Sequence, residues 1–150
     1  MAASLDAVDF EPHVTLFCGP GVDTEARAVA EFIANRFTPI ELTPNRLDHT
    51  EQYTKTLFLQ FEESAVARQM FEVAANGWSA PSGYALNPHL SLLYKKLPEA
   101  KRRRLSKTLD LPTGKYIFDR IRVVETELPI EDSGPIQRWR VVSDVALRPL

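Results

Sequence analysis

His13-Val14-Thr15-Leu16-Phe17-Cys18 is a short apolar run closed by Gly19-Pro20-Gly21. A run of this length ending in such breakers predicts a buried strand that stops in a turn. A second run, His89-Leu90-Ser91-Leu92-Leu93-Tyr94, opens the same way, with a histidine followed two positions later by a hydroxyl residue. Each run is preceded by a proline, Pro12 or Pro88. After the first, Asp23 is placed to cap a helix through about Phe37, with Ala26, Val29, Ala30, Ile33 and Phe37 on one face. Extended segments near 40–48 and 53–62 follow, the second containing Thr56-Leu57-Phe58-Leu59-Gln60-Phe61. After the second run, Pro98 suits the first turn of a helix to about Leu109. Two strands follow, near 115–128 and 137–147, separated by a turn at Asp132-Ser133-Gly134.

Between these two series lies one more helix, with Ser64 as its cap, Val66, Met70, Val73 and Ala74 facing inward, and Asn76-Gly77 as its stop. The stretch Gly77-Trp78-Ser79-Ala80-Pro81-Ser82-Gly83 then reads as a joint. The first histidine stands ten residues before Asp23 and the second nine before Pro98. The expected fold is therefore α+β and bilobal, with one lobe over about 10–76 and the other over about 85–150. The lobes repeat strand-helix-strand-strand about a pseudo-twofold axis. The repeat is one of element order, with no residue-by-residue periodicity of the solenoid kind.

Composition narrows the classes. The 150 residues, 44% hydrophobic and 25% charged, suit one globular domain. A net charge of −2 argues against a surface that coats a long polyanion, and leaves room for a pocket holding one or two phosphates. Cys18 is the single cysteine, so no intrachain disulfide forms. The start of the chain has no basic and apolar signal pattern, and no apolar run approaches about 18–20 residues. The expectation is a cytoplasmic monomer that does not engage membranes.

Side chains two apart on a strand share a face, so His13 projects with Thr15 and His89 with Ser91. A histidine transfers protons near neutral pH, and a hydroxyl donates to a phosphate oxygen. Two such pairs facing each other suit in-line opening of a cyclic phosphate. One histidine takes a proton from water, the other protonates the departing ribose oxygen, and the hydroxyls hold the phosphate. The arrangement calls for no metal and no cofactor. One motif of this kind is weak; its recurrence at the head of each half is the signal.

These residues resemble the two-histidine phosphoesterase superfamily, whose hallmark is a repeated His-x-Thr/Ser, met here as Pro12-His13-Val14-Thr15-Leu16 and Pro88-His89-Leu90-Ser91-Leu92. Within it the likeness is to the cyclic phosphodiesterase branch, carried also by Phe118-Asp119-Arg120-Ile121-Arg122-Val123-Val124-Glu125-Thr126 and the Trp139 strand. The resemblance spans His13 to Leu147. It implies two antiparallel sheets flanking a central cleft, and hydrolysis of ADP-ribose 1″,2″-cyclic phosphate or nucleoside 2′,3′-cyclic phosphates. It implies His13 and His89 as catalytic residues and Thr15 and Ser91 as phosphate-binding residues. Tyr94 matches an aromatic position near substrate, although strict alternation turns it away from His89, so that role requires a bend or bulge.

Two alternatives stand beside this reading. One is processing of RNA 2′,3′-cyclic phosphate ends or 2′-5′ ligation, with an RNA end as partner; the other is a non-catalytic nucleotide-binding module. Other conspicuous residues have simpler readings. His49 reads as a solvated loop or strand-end histidine, and His13, His49, His89 and Cys18 fit no zinc-ligand spacing. Lys101-Arg102-Arg103-Arg104 reads as a solvated helix face. Trp78, Tyr84 and Trp139 could stack on a base, and for Trp139 packing is the preferred reading. Lys55 opens a strand near the expected cleft and is a candidate for phosphate contact.

Overall fold

Strand pairing between distant parts of the chain places the two histidine runs side by side. The computed structural model describes residues 5–150. Its elements are α1 (Asp23–Arg36), β1 (Ile40–Leu42), β2 (Pro44–His49), β3 (Leu57–Phe61), α2 (Ala65–Gly77), β4 (His89–Leu93), α3 (Glu99–Thr108), β5 (Tyr116–Phe118), β6 (Arg120–Glu125), α4 (Ser133–Gln137) and β7 (Arg140–Ala146). The fold is α+β, with three small antiparallel sheets ordered β1-β5, β2-β3-β4 and β6-β7. Two pairings, β1 with β5 and β3 with β4, join the first half of the chain to the second.

Several elements differ from their sequence reading, some through local capping and others through the distant strand each piece joins. The segment expected as one strand over 40–48 breaks at Thr43, whose carbonyl accepts the Glu62 N–H at 2.9 Å. The pieces on either side, β1 and β2, then join different sheets. Asp119 similarly separates β5 from β6. Val22 rather than Asp23 is the N-cap of α1, and it makes no side-chain cap bond. Asp23 sits in the first turn, where its carboxylate suits the helix dipole and meets Arg140 at 3.1 Å. The turn expected at Asp132-Ser133-Gly134 continues as the short helix α4, because the Asp132 carboxylate accepts the Gly134 N–H at 2.8 Å. Ser64 caps α2 as expected, accepting from the Ala67 N–H at 3.2 Å.

Two apolar clusters hold these layers. Ile33 and Ala34 of α1 pack with Met70 and Ala74 of α2 and with Leu147. Beneath the three-stranded sheet, Leu42, Leu59, Phe61, Ala67 and Leu90 form the second cluster, with Val14 packed against it. Ala67 fills the inward position expected for Val66, which is 42% exposed. Leu57, Leu59 and Leu93 are wholly buried, and each such side chain is worth about 1.5–3 kcal/mol relative to exposure. The first histidine run is extended, but it carries a single bridge, Val14 to Leu90, rather than a full strand ladder.

One irregularity controls the second run. Phe58 pairs with Ser91 and Leu57 pairs with Leu93, so Leu92 is an extra residue in β4. A bulge of this kind resets the alternation of faces. Leu93 therefore joins Leu90 on the core side, and Tyr94 returns to the face of His89 and Ser91.

Candidate active site

The Val14–Leu90 bridge is antiparallel, and its two side chains turn into the second apolar cluster. Their neighbours must then point to the opposite face. Continuing the register sets His13 across from Ser91 and Thr15 across from His89. The four motif side chains thus share one face, with each histidine opposite the other motif's hydroxyl.

Both imidazoles are oriented by the same device. His13 Nδ1 lies 2.7 Å from the Glu11 carbonyl, and His89 Nδ1 lies 2.7 Å from the Asn87 carbonyl, each two residues upstream. A carbonyl only accepts, so both Nδ1 atoms carry the proton. Each Nε2 is left to take or give a proton, which is the state a general acid–base pair requires. Gln60, opposite His89 in the β3–β4 register, steadies one of these carbonyl turns. Its amide donates to Asn87 Oδ1 at 2.9 Å and to the Pro88 carbonyl at 2.8 Å.

The surroundings of the two histidines differ. His13 is ringed by aromatic groups: Trp139 at 5.5 Å and Phe10 at 6.1 Å between centroids, both edge-on. Tyr94 is 4% exposed, stacks on Phe10 at 3.8 Å, and brings its phenol to 3.5 Å from His13 Nε2. Burial pushes the Tyr94 phenol up to about 12, with the Ser91 hydroxyl working in the other direction, so the group stays protonated. The Trp139 indole N–H donates to Thr126 Oγ1 at 2.7 Å, which fixes its ring beside the imidazole.

Among the described residues, His89 meets the edge of one ring, Phe58, at 5.5 Å, and the Lys55 ammonium lies over that ring at 4.3 Å from its centroid. Desolvation pushes the His89 pKa down, against the Asn87 carbonyl bond that raises it; the charges of Lys55 and His13 depress it further. On the next strand, Asp48 lies opposite Phe58 and Arg46 opposite Gln60, and these two pair at 3.1 Å.

The hydroxyls are also unequal. Ser91 is 7% exposed and donates to the Thr54 carbonyl at 2.7 Å. Thr15 Oγ1 enters no hydrogen bond among the described residues, while the Thr15 carbonyl accepts from the Tyr84 hydroxyl at 3.1 Å. Nothing in the local sequence around Phe10, Thr54, Phe58 or Gln60 marks them as site residues. Only the register of β3 against β4 and the path of the chain before His13 bring them here.

The remaining candidates lie elsewhere. His49 ends β2 and is half-buried, with Nδ1 buried and unpartnered, on the Leu57 side of the sheet. Among the described residues, no three His, Cys, Asp or Glu side chains converge as a metal-ligand set. Cys18 is half-buried, and burial raises its thiol pKa. Lys101, Arg103 and Arg104 are exposed on α3. Trp78 donates to the Pro20 carbonyl at 2.6 Å and lines a cavity of about 310 Å³ with Phe17, Ser79, Ser82 and Tyr84. This cavity lies at the 77–83 joint rather than at the imidazoles. Among the described residues, no helix is long and apolar enough to cross a membrane.

Known proteins share this arrangement of elements. The crystal structure of TT0787 from Thermus thermophilus superposes with a TM-score of 0.58 at 17% identity, covering 92% of this chain and 79% of that one. Escherichia coli LigT, solved in complex with 3′-AMP, gives 0.52 at 16% identity, covering 91% and 76%. At these identities the likeness is one of fold. No curated protein sequence matches the chain. The profile of the 2′-5′ RNA ligase superfamily matches residues 6–129, most of the chain and both histidine motifs, so the chain belongs to that superfamily of two-histidine phosphoesterases.

Proposed function

We propose that this protein hydrolyses a cyclic phosphodiester on a nucleotide, either a nucleoside 2′,3′-cyclic phosphate or ADP-ribose 1″,2″-cyclic phosphate, by paired histidine acid–base catalysis without a metal. The observation that carries this reading is the doubled Nδ1 clamp, at 2.7 Å in both motifs, which readies two Nε2 atoms on one face for proton transfer. The doubled clamp also favours two lobes, about 10–76 and 85–150, related by a pseudo-twofold axis with the cleft between them.

The unequal surroundings suggest separate roles. His89, whose neutral form burial and the nearby Lys55 cation favour, takes a proton from the attacking water. The water oxygen bonds to phosphorus as one ring P–O bond breaks. His13, entering the reaction as the imidazolium with both nitrogens protonated, delivers its Nε2 proton to the departing ribose oxygen. Thr15, whose hydroxyl is uncommitted, donates to a non-bridging oxygen. Ser91 does so once its proton turns from the Thr54 carbonyl. Tyr94, adjacent to His13 Nε2, lines the leaving-group side.

The superfamily description favours one second reading, in which the same acid and base open an RNA 2′,3′-cyclic end or run in reverse to form a 2′-5′ linkage. Phosphorus NMR against a panel of cyclic mononucleotides, ADP-ribose cyclic phosphate and an oligonucleotide with a 2′,3′-cyclic end separates these readings. The small-molecule reading expects ring opening of the mononucleotides or of ADP-ribose cyclic phosphate, lost in His13→Ala and His89→Ala. Turnover confined to the oligonucleotide supports the second reading. Saturable nucleotide binding with no turnover of any member contradicts both.

A further inference from the structure

Lys55 is a cation with no directly paired anion: its Nζ forms no hydrogen bond or ion pair among the described residues. Asp48, whose charge acts on it, is already engaged by Arg46 at 3.1 Å and by the His49 N–H at 2.8 Å. The ammonium instead rests over the Phe58 ring, whose other neighbour is His89. Burial and the nearby Arg46 charge push the Lys55 pKa down, against Asp48, which raises it.

The backbone beneath Lys55 is fastened to the site. Residues 53–55 form a single 3₁₀ turn. The Thr54 carbonyl takes the Ser91 hydroxyl at 2.7 Å, and the Lys55 carbonyl takes the Thr50 hydroxyl at 2.7 Å. The next residue, Thr56, donates to the Lys95 carbonyl at 2.7 Å, just beyond β4. A cation mounted this way is positioned before substrate arrives, and preorganisation of this kind makes electrostatic stabilisation effective.

We propose that Lys55 stabilises the second negative charge that develops on the phosphate as the ring opens. The inference rests on the hydrolytic reading of this site and adds a residue to it. A cyclic diester carries one negative charge. Addition of water and transfer of its proton to His89 build toward two, and the monoester product retains about −1.5 to −2 at pH 7. A cation beside the base therefore favours transition state and product over substrate, and its effect falls on kcat more than on KM. Arg46 does not supply this charge, since its guanidinium is paired within the same sheet face.

The test uses Lys55→Met and Lys55→Arg, with kinetics on the cyclic phosphate and calorimetric binding of 2′-AMP and 3′-AMP as product mimics. Lys55→Met is expected to lower kcat about 10- to 100-fold, less than the loss of a full oxyanion donor, with KM changing less than about threefold. It also weakens monophosphate binding by about tenfold, and Lys55→Arg restores most of both. A Lys55→Met protein that keeps kcat and monophosphate affinity within about twofold of the parent overturns the proposal. If the parent opens no cyclic phosphate, the hydrolytic reading falls, and undiminished monophosphate binding by Lys55→Met then removes the Lys55 site as well.

Discussion

The His13 side and the His89 side of this site begin from the same local sequence and end in different environments. Both histidines follow a proline, both precede a hydroxyl by two residues, and both Nδ1 atoms are clamped to a carbonyl two residues upstream. Around His13 the chain gathers Phe10, Tyr94 and Trp139; around His89 it gathers Phe58 and Lys55. The repeated motif therefore supplies two imidazoles oriented alike, and the packing around them makes their surroundings unequal. The specialisation comes from residues outside the motif.

The largest expected effect tests what the sides share. His13→Ala and His89→Ala should each lower turnover of a cyclic phosphate by about 10²–10⁴-fold, the usual worth of a positioned acid or base. Circular dichroism should show both variants folded, since each imidazole lies on the face opposite the core. A smaller effect separates the hydroxyls. Thr15→Val should reduce kcat/KM by about tenfold or more, because that hydroxyl is uncommitted. Ser91→Ala should affect turnover less and stability more, by about 0.5–1.5 kcal/mol in a denaturant titration, because the Thr54 carbonyl loses its partner.

The pH profile sharpens the comparison further. A base must be unprotonated to act, so a lowered pKa carries activity to more acidic pH. The acidic limb of kcat/KM should lie below the ordinary imidazole value of about 6.5, because His89 is desolvated and faces Lys55 and His13. Lys55→Met should move that limb upward; movement downward would remove Lys55 as a neighbour of the base. The smallest effect belongs to Tyr94→Phe. Its phenol stands at the outer limit of hydrogen bonding to His13 Nε2, so kcat/KM should fall only a few-fold, about 1 kcal/mol in the barrier.

Local chemistry was legible in the sequence and non-local register was not. The Ser64 cap, the inward face of α1 and the two histidine motifs each depend on residues a few positions apart. The splits at Thr43 and Asp119 depend on which distant strand each piece joins, and a single run of β-prone residues carries no mark of that. Tyr94 is the clearest case. Alternation placed it opposite His89, and the extra residue Leu92 returns it to the site. Phe58 and Gln60 read as ordinary strand residues until pairing sets them against Ser91 and His89.

The assignment of base to His89 and acid to His13 is open to one direct measurement, the comparison of both alanine variants on a cyclic nucleotide and on methyl 4-nitrophenyl phosphate. Nitrophenolate departs without a proton, so that ester needs the base and dispenses with the acid. The account predicts that His13→Ala loses activity on the cyclic nucleotide and regains most of it on the nitrophenyl ester, whereas His89→Ala is impaired on both. Recovery in His89→Ala but not in His13→Ala would reverse the roles, and equal impairment of both on both substrates would contradict the specialisation itself.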